Sequence, residues 1–411
     1  MGDIVIGNPP YIQLQADGGK LGNLYKNCGF ETFARTGDIY SLFYEQGWNL
    51  LNKGGHLCFI TSNKWMRAGY GESTRKFFAT KTNPLILVDL GANVFENATV
   101  DTNILLFARD KNTGITQCAT FDKDSKNSLE QLSDFVQQQG TECEFKDSNS
   151  WVILSPIELS IKRKIESVGT PLKDWDINIY RGVLTGCNEA FIISTEKRNE
   201  ILSNCKDDDE RIRTEALIRP ILRGRDIKRY SYNWAGLWLI NTHNGVKGRI
   251  PRIDINDYPA VKEHLDKYWD MISSRADKGD TPYNLRNCAY LEDFSQPKII
   301  YQELSQGSSF AIDKNGEYVV SNTGYILTGQ NLDYLLIMLN SAIVKYAYRT
   351  FYATMLGSSG VRWLAQHIIH LPIPIYKGSK LQNDLISNKK EQLVADIYGL
   401  TSDEMSFVDF Q

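Results

Sequence analysis

A β-branched run, Asp3-Ile4-Val5-Ile6-Gly7, passes directly into Asn8-Pro9-Pro10-Tyr11. Proline fixes φ at about −65°, carries no N–H, and confines the residue before it to extended backbone. The run must therefore end as a strand that delivers a stiff loop, and no helix can start at its last residue. Downstream, short apolar runs alternate with helical spacing. A helix is predicted over Tyr40–Leu51, stopping at Lys53-Gly54-Gly55, and another over about Gly71–Ala79; strands are predicted over His56–Thr61, Leu85–Leu90 and Asn103–Ala108. This alternation calls for a mostly parallel sheet covered by helices, an α/β fold whose ligands bind beyond the strand ends.

The character of the chain changes further on. Residues 110–150 hold eight acids against four bases, with many Gln, Ser and Asn, as expected of a solvated connection. The expected division is a catalytic α/β part at 1–112, a connecting segment with a helix from about Ser155 to Val168 at 113–170, a second domain of short strands at 171–376, and a helical tail at 377–411. The formal charge of the whole chain, −3, gives no general attraction to a polyanion. Over 211–252, however, ten Lys or Arg face only Glu215 and Asp226, a local +8, with Tyr230, Tyr232, Trp234 and Trp238 interleaved. Cations mixed with aromatic rings suit a surface that tracks phosphates and stacks on bases, although charge runs also occur as plain solvated faces. Arg223, Arg225, Lys228 and Arg229 are the densest group and the first candidates for DNA contact.

Other chemistries find little support. The seven cysteines form no CxxC pair and fit reduced thiols in a cytoplasmic protein. His367 and His370 sit among Ile368, Ile369 and Leu371 with no further ligands nearby, so no metal centre is expected. The apolar stretch Leu335–Met355 carries Lys345 and Arg349 and reads as a core helix, not a membrane span. Glu144-Phe145-Lys146, with Asp134 upstream, has the acid-x-Lys form of nuclease sites but no strand pattern around it; DNA cleavage is not expected.

The residue types of the first loop suit methylation of an exocyclic amine. The N6 amine of adenine is a poor nucleophile because its lone pair is delocalised into the ring. Two acceptors, the Asn8 side-chain oxygen and the Pro9 carbonyl, would hold its hydrogens and favour a more tetrahedral nitrogen. Pro9 and Pro10 fix the angle at which those acceptors are presented. A base inside a duplex must be flipped out to reach such a loop, and Tyr11 offers an aromatic face for it, with Phe95 a candidate for the opposite face. The plain alternative is a turn after a strand.

Order and spacing narrow the choice. After Asn8-Pro9-Pro10-Tyr11 come Asp38-Ile39-Tyr40-Ser41-Leu42-Phe43, Leu51-Asn52-Lys53-Gly54-Gly55, Phe59-Ile60-Thr61-Ser62-Asn63-Lys64-Trp65 and Val94-Phe95-Glu96-Asn97-Ala98-Thr99-Val100. In this arrangement the chain resembles the gamma class of adenine-N6 DNA methyltransferases, and most closely the type IIG restriction-modification enzymes. Arg181-Gly182-Val183-Leu184-Thr185-Gly186 and Ile221-Leu222-Arg223-Gly224-Arg225-Asp226-Ile227 are similar to the opening of that family's target-recognition domain. The resemblance implies the C-terminal half of a doubly wound Rossmann-like methyltransferase sheet, followed by an α+β target-recognition domain for double-stranded DNA. It also implies roles. Asn8 and Pro9 accept from the target amine, Tyr11 stacks on the flipped adenine, Phe95 packs on its other side, and Phe43 lies against the adenine of S-adenosylmethionine.

One departure is large. In that class a Gly-rich strand-loop-helix that binds the methyl donor comes before the Asn-Pro-Pro-Tyr loop, whereas here seven residues precede it. Val88-Asp89-Leu90-Gly91 and Leu356-Gly357-Ser358-Ser359-Gly360 are the two places where a permuted chain would carry the donor loop, and neither has the full pattern. The expectation is a chain without its cofactor half. S-adenosylmethionine would then be the cofactor of the intact protein and would not bind this chain tightly, and the chain alone would be inactive. Its first strand would present a free edge, open to self-association or to pairing with another segment. The competing reading is a DNA-specificity module that serves a separate catalytic chain. RNA or protein as methyl acceptor is a third.

Overall fold

The opening run forms β1 (Gly2–Gly7), an edge strand paired in parallel with β2 (Leu51–Ser62), with Val5 opposite Leu57 and Gly7 opposite Phe59. The computed structural model describes residues 2–91, 94, 100–121, 131–353, 360–375 and 390–411. Backbone contacts divide it into Met1–Ile161 and Lys162–Gln411.

In the first unit, β3 (Asn83–Gly91), β4 (Thr102–Ala108), β5 (Thr116–Thr120) and β6 (Thr141–Cys143) complete a six-stranded sheet of order β1-β2-β4-β3-β5-β6. Only β1–β2 and β3–β5 pair in parallel; β4 runs antiparallel to both of its neighbours, and β6 is antiparallel to β5. The sheet is therefore mixed, where alternation of helix and strand suggested mostly parallel pairing. Apolar patterning reports which residues are buried and carries no information on strand direction. The stretch expected as a solvated connection also differs: residues 116–143 supply β5, β6 and the helix Leu132–Gln139 to this sheet. Their strands are too short and too polar to stand out from a loop.

After α1 (Ala16–Tyr25), α2 (Tyr40–Leu50) and α3 (Glu72–Lys81) cover one face of the sheet. There Tyr40, Tyr44, Trp65, Phe77, Phe78, Phe107 and Trp151 form an aromatic core. Gly47 lets α2 lie close on the strands, because a Cβ there would press on the Leu57 side chain and stand 3.5 Å from Val5 Cγ1. On the other face Val88, Leu90, Ala119 and Phe121 pack with Leu132, Phe135 and Val136. At the β1 end of that face Ile4 and Ile6 stand 73% and 77% exposed.

The second unit is α+β. It contains β7 (Thr170–Pro171), β8 (Ile177–Arg181), β9 (Ile192–Ser194), β10 (Ile218–Leu222), β11 (Ile227–Lys228), β12 (Ser231–Tyr232) and β13 (Leu237–Ile240). Then follow β14 (Lys298–Gln302), β15 (Leu304–Ser305), β16 (Phe310–Asp313), β17 (Val319–Val320), β18 (Gly324–Gly329), β19 (Val361–Arg362) and β20 (Pro372–Ile373). Two four-stranded sheets, β17-β10-β13-β9 and β16-β14-β18-β8, share a core that includes Phe191, Ile221, Leu239, Ile300 and Ile326. Gly182 permits a tight crossing: a Cβ there would fall on the Val320 and Ser321 carbonyls. A buried ion pair, Lys298 Nζ to Asp313 Oδ2 at 2.7 Å, bridges β14 and β16. The stretch read as one core helix forms two, Leu332–Asn340 and Ala342–Ala347, because Ser341 is extended and caps the second through Val344 N. Of the tail, the helices Lys390–Tyr398 and Ser402–Asp409 are described.

Candidate active site and nucleic-acid interface

The Asn8-Pro9-Pro10-Tyr11 loop leaves the C-terminal end of β1, with Pro9 buried and Asn8 and Pro10 exposed. Tyr11 Oη donates to Asn8 Oδ1 at 2.9 Å and also approaches the Ile60 carbonyl at 3.4 Å. Its ring lies edge-on to Tyr40, with centroids 6.2 Å apart. Burial, and secondarily the carboxylate of Asp38, push the Tyr11 phenol above its ordinary value, so it stays a donor through the neutral range. Asn8 Oδ1 has two lone pairs, and the phenol takes one. A second donor can share the oxygen, or displace the phenol.

Asp38 fixes the path of the chain after the loop. Its Oδ1 accepts from Ile12 N at 2.9 Å and from Tyr40 N at 3.4 Å, at the start of α2. Ile39 N donates to the Ile12 carbonyl and Leu14 N to the Gly37 carbonyl, both at 2.9 Å. Burial raises the Asp38 carboxyl, opposed by these backbone donors and by Lys64. Sequence reasoning quoted Asp38 inside a motif and gave it no role. Its signal was position, immediately before a helix start, where an acid both caps and meets the positive end of the helix. Below the loop, Tyr44 Oη and Thr61 Oγ1 lie 3.0 Å apart, and Asn103 Nδ2 donates to Thr61 Oγ1 and the Ser62 carbonyl at 3.2 and 3.0 Å.

The other aromatic candidates fare differently. Phe43 stands 41% exposed on α2, one turn before Gly47. Phe95 lies outside the described residues, as do Leu356 to Ser359. At the remaining possible donor loop, Gly91 takes a positive φ of 62°, but Asp89 Oδ1 accepts from Asn63 Nδ2 at 3.0 Å and from Gly91 N at 3.1 Å. Asp89 thus ties strand ends together through Oδ1.

In the second unit three cavities of 340, 870 and 590 Å³ adjoin. The first two share the lining residues Arg181 and Asn322, and the first and third share Asn287; the three together are the basic groove. Its lining includes Arg181, Arg223, Arg225, Lys247, Arg249, Arg252 and Arg286, against the acids Glu189, Asp280 and Glu303. Of the four leading basic candidates, Arg223 and Arg225 line this groove and Lys228 and Arg229 do not. Arg225 is exposed there. The Arg223 guanidinium is held by Asp226 at 3.0 and 2.7 Å, which raises its pKa further. Lys228 Nζ bonds the Arg225 carbonyl at 2.9 Å. Arg229 pairs with Glu391 at 2.9 Å and bonds the Asn340 carbonyl at 2.8 Å, so it ties the tail helix to the unit. The local +8 is further reduced because Arg249 and Arg252 face Glu292 and Asp280, at 3.1 and 3.2 Å. Arg219 is spent on carbonyls of Gly316 and Glu317, at 3.0 and 3.1 Å. Sequence counting missed Arg181 and Arg286, which join the groove from distant segments.

An α/β unit that ends a strand in a rigid acceptor loop, joined to an α+β unit with a basic groove, defines a methylase segment coupled to a recognition domain. Residues 3–95 match the family described as Eco57I restriction-modification methylase, and residues 219–373 match the TaqI-like C-terminal specificity domain. Over 438 residues it is 24% identical to the type II methyltransferase M.BstVI of Geobacillus stearothermophilus, covering 99% of this chain and 75% of that protein. It is 24% identical to the type II methyltransferase M.PaeR7I of Pseudomonas aeruginosa, covering 90% of this chain and 64% of that one. Against the type II restriction enzyme and methyltransferase RM.Eco57I of Escherichia coli, the identity is 24% and the coverage 86% and 38%. The fold is similar to that of the type IIL restriction-modification enzyme MmeI, solved in complex with DNA, with a TM-score of 0.51 at 12% identity over 99% of this chain and 56% of that one.

Proposed function

We propose that the chain forms the base-accepting and DNA-reading part of a site-specific methyltransferase of a restriction-modification system. The enzyme transfers methyl from S-adenosylmethionine to adenine N6 in a specific duplex sequence. The observation that carries this reading is the Asn8 side-chain oxygen, held at the end of β1 beside the Tyr11 phenol at 2.9 Å. An acceptor fixed by two prolines suits an amine whose hydrogens must be held while its lone pair is freed for attack. Tyr11 keeps Asn8 oriented before a base arrives and then yields the acceptor to the amine. Its half-buried ring, supported by Tyr40, is the surface on which a flipped base would rest.

S-adenosylmethionine supplies an electrophilic methyl group when bound. Phe43 is the residue of this chain suited to lie against its adenine. Because Val88-Asp89-Leu90-Gly91 has one glycine where a donor loop needs several, this chain by itself is expected to bind the donor weakly and to be inactive alone. Tight binding of S-adenosylmethionine to the chain in calorimetry would overturn that part. The reaction itself is tested by sequencing methylated adenines in DNA from cells that carry the intact gene, beside cells carrying Asn8→Ala. N6-methyladenine confined to one sequence, and lost in the variant, is expected. Methylated cytosine, or no change on substitution, would sink the assignment.

A further inference from the structure

In the wall of the 870 Å³ cavity, an acid sits among cations. Glu303 joins β14 to β15, and its side chain is 14% exposed. Its Oε1 accepts from Arg362 Nε and Nη2 at 2.9 and 2.7 Å, and its Oε2 lies 3.5 Å from Arg181 Nη2. The two arginine side chains remain 62% and 57% exposed. Backbone contacts fix all three residues. Arg181 pairs with Tyr325 across β8–β18, Arg362 pairs with Leu304 across β19–β15, and Trp363 N donates to the Glu303 carbonyl at 2.7 Å. Arg181 Nε is also satisfied, by the Asn322 carbonyl at 3.0 Å.

We infer that Arg181 and Arg362, oriented by Glu303, read guanine in the recognition sequence; the inference rests on the second unit being the DNA-reading part. A phosphate contact asks only for positive charge, and a carboxylate between two arginines weakens it. Reading a base edge asks for direction. The guanidinium is a planar fork of five donors, and guanine offers O6 and N7 to such a fork in the major groove. Among the described residues, Glu303 and the Asn322 carbonyl bond Nη2 and Nε of Arg181, Glu303 bonds Nε and Nη2 of Arg362, and neither Nη1 is bonded. The carboxylate thus gives up some attraction to the backbone, fixes the fork of Arg181 at the wall of an 870 Å³ cavity that Arg181 and Glu303 both line, and holds Arg362 beside it. Glu303 is a positioning residue here, and the arginines are the readers.

The test is selection of bound duplexes from a randomised pool by the intact gene product, followed by sequencing. The wild-type protein is expected to enrich a motif containing guanine. Arg181→Lys keeps the charge and loses the fork, so it should cut the preference for guanine at one position about tenfold or more while the rest of the motif survives. Glu303→Gln should relax the same position, and leave total binding unchanged or stronger because a negative charge has gone. Arg362→Lys approaches the cluster from another strand and keeps the test decisive if one variant folds poorly, as thermal melting would reveal. An unchanged motif, an equal loss at every position, or a motif without guanine would overturn the inference. Failure of the wild-type protein to bind any duplex would instead remove the DNA reading beneath it, and this inference with it.

Discussion

At the scale of single residues, the acceptor at Asn8 and the donor at Tyr11 make separable predictions. In the intact enzyme Asn8→Ala should lower methyl transfer by about a hundredfold or more, the usual cost of deleting one oriented polar group at a reacting centre. Tyr11→Phe keeps the ring and should cost less than about tenfold; equal losses would mean that the phenol is as essential as the amide oxygen. His264 gives a pH prediction. It is buried, with Nε2 2.9 Å from the Ala190 carbonyl, and burial pushes its imidazole below the ordinary value. A folded pKa below the unfolded one means that the unfolded chain binds more protons in between, so stability rises with pH across that window. Denaturation midpoints should be level above about pH 6.5 and fall below it, and His264→Gln should flatten the fall. The Asn-Pro-Pro-Tyr loop was legible in sequence because proline acts through local geometry alone. Asp38 was not, because its partner Ile12 lies 26 residues away and only folding brings them together.

At the scale of elements, two helices and the long strands of the first unit could be read from apolar period, with Tyr40–Leu50 and Thr102–Ala108 within a residue of expectation, while Ala16–Tyr25 and Leu132–Gln139 were not expected. Pairing could not. The antiparallel insertion of β4 between β2 and β3 depends on connections, and β5 and β6 have too few apolar residues to show a period. In the second unit the strand pair β14–β16 is pinned by the buried Lys298–Asp313 bridge. Asp313 also accepts from the backbone N–H groups of Glu317 and Tyr318, at 3.2 and 2.9 Å. Lys298→Ala leaves that carboxylate buried without its cation and should cost about 3–5 kcal/mol in urea denaturation, whereas a surface lysine such as Lys314 should cost little when removed. A loss under 1 kcal/mol would show that the backbone donors alone satisfy Asp313.

At the scale of the whole molecule, a run of positive charge in the sequence becomes two kinds of residue in the fold. Arg225→Ala should weaken duplex binding and reduce the slope of log affinity against log salt by about 1. Arg229→Ala should leave that slope unchanged and lower the thermal midpoint, since its partners are Glu391 and the Asn340 carbonyl; the reverse pattern in titrations at several salt concentrations would exchange their roles. The groove was only half legible in sequence, because Arg181 and Arg286 reach it from segments outside the basic run. The free edge of β1, with Ile4 and Ile6 exposed, predicts concentration-dependent self-association in sedimentation. Ile6→Lys should suppress it, since a charge on an edge strand opposes pairing.

The same edge bears on how steadily the reacting oxygen is held. Among the described residues β1 is secured by a single ladder, to β2, while β2 is flanked on both sides. Amide protons of Val5 and Ile6 should therefore exchange with solvent faster than those of Leu57 and Phe59, although all four belong to one sheet. Asn8 is carried on the least protected strand of that core. Whatever lies along the outer side of β1 will slow that exchange and sharpen the aim of Asn8, and so act on the chemistry without touching the base.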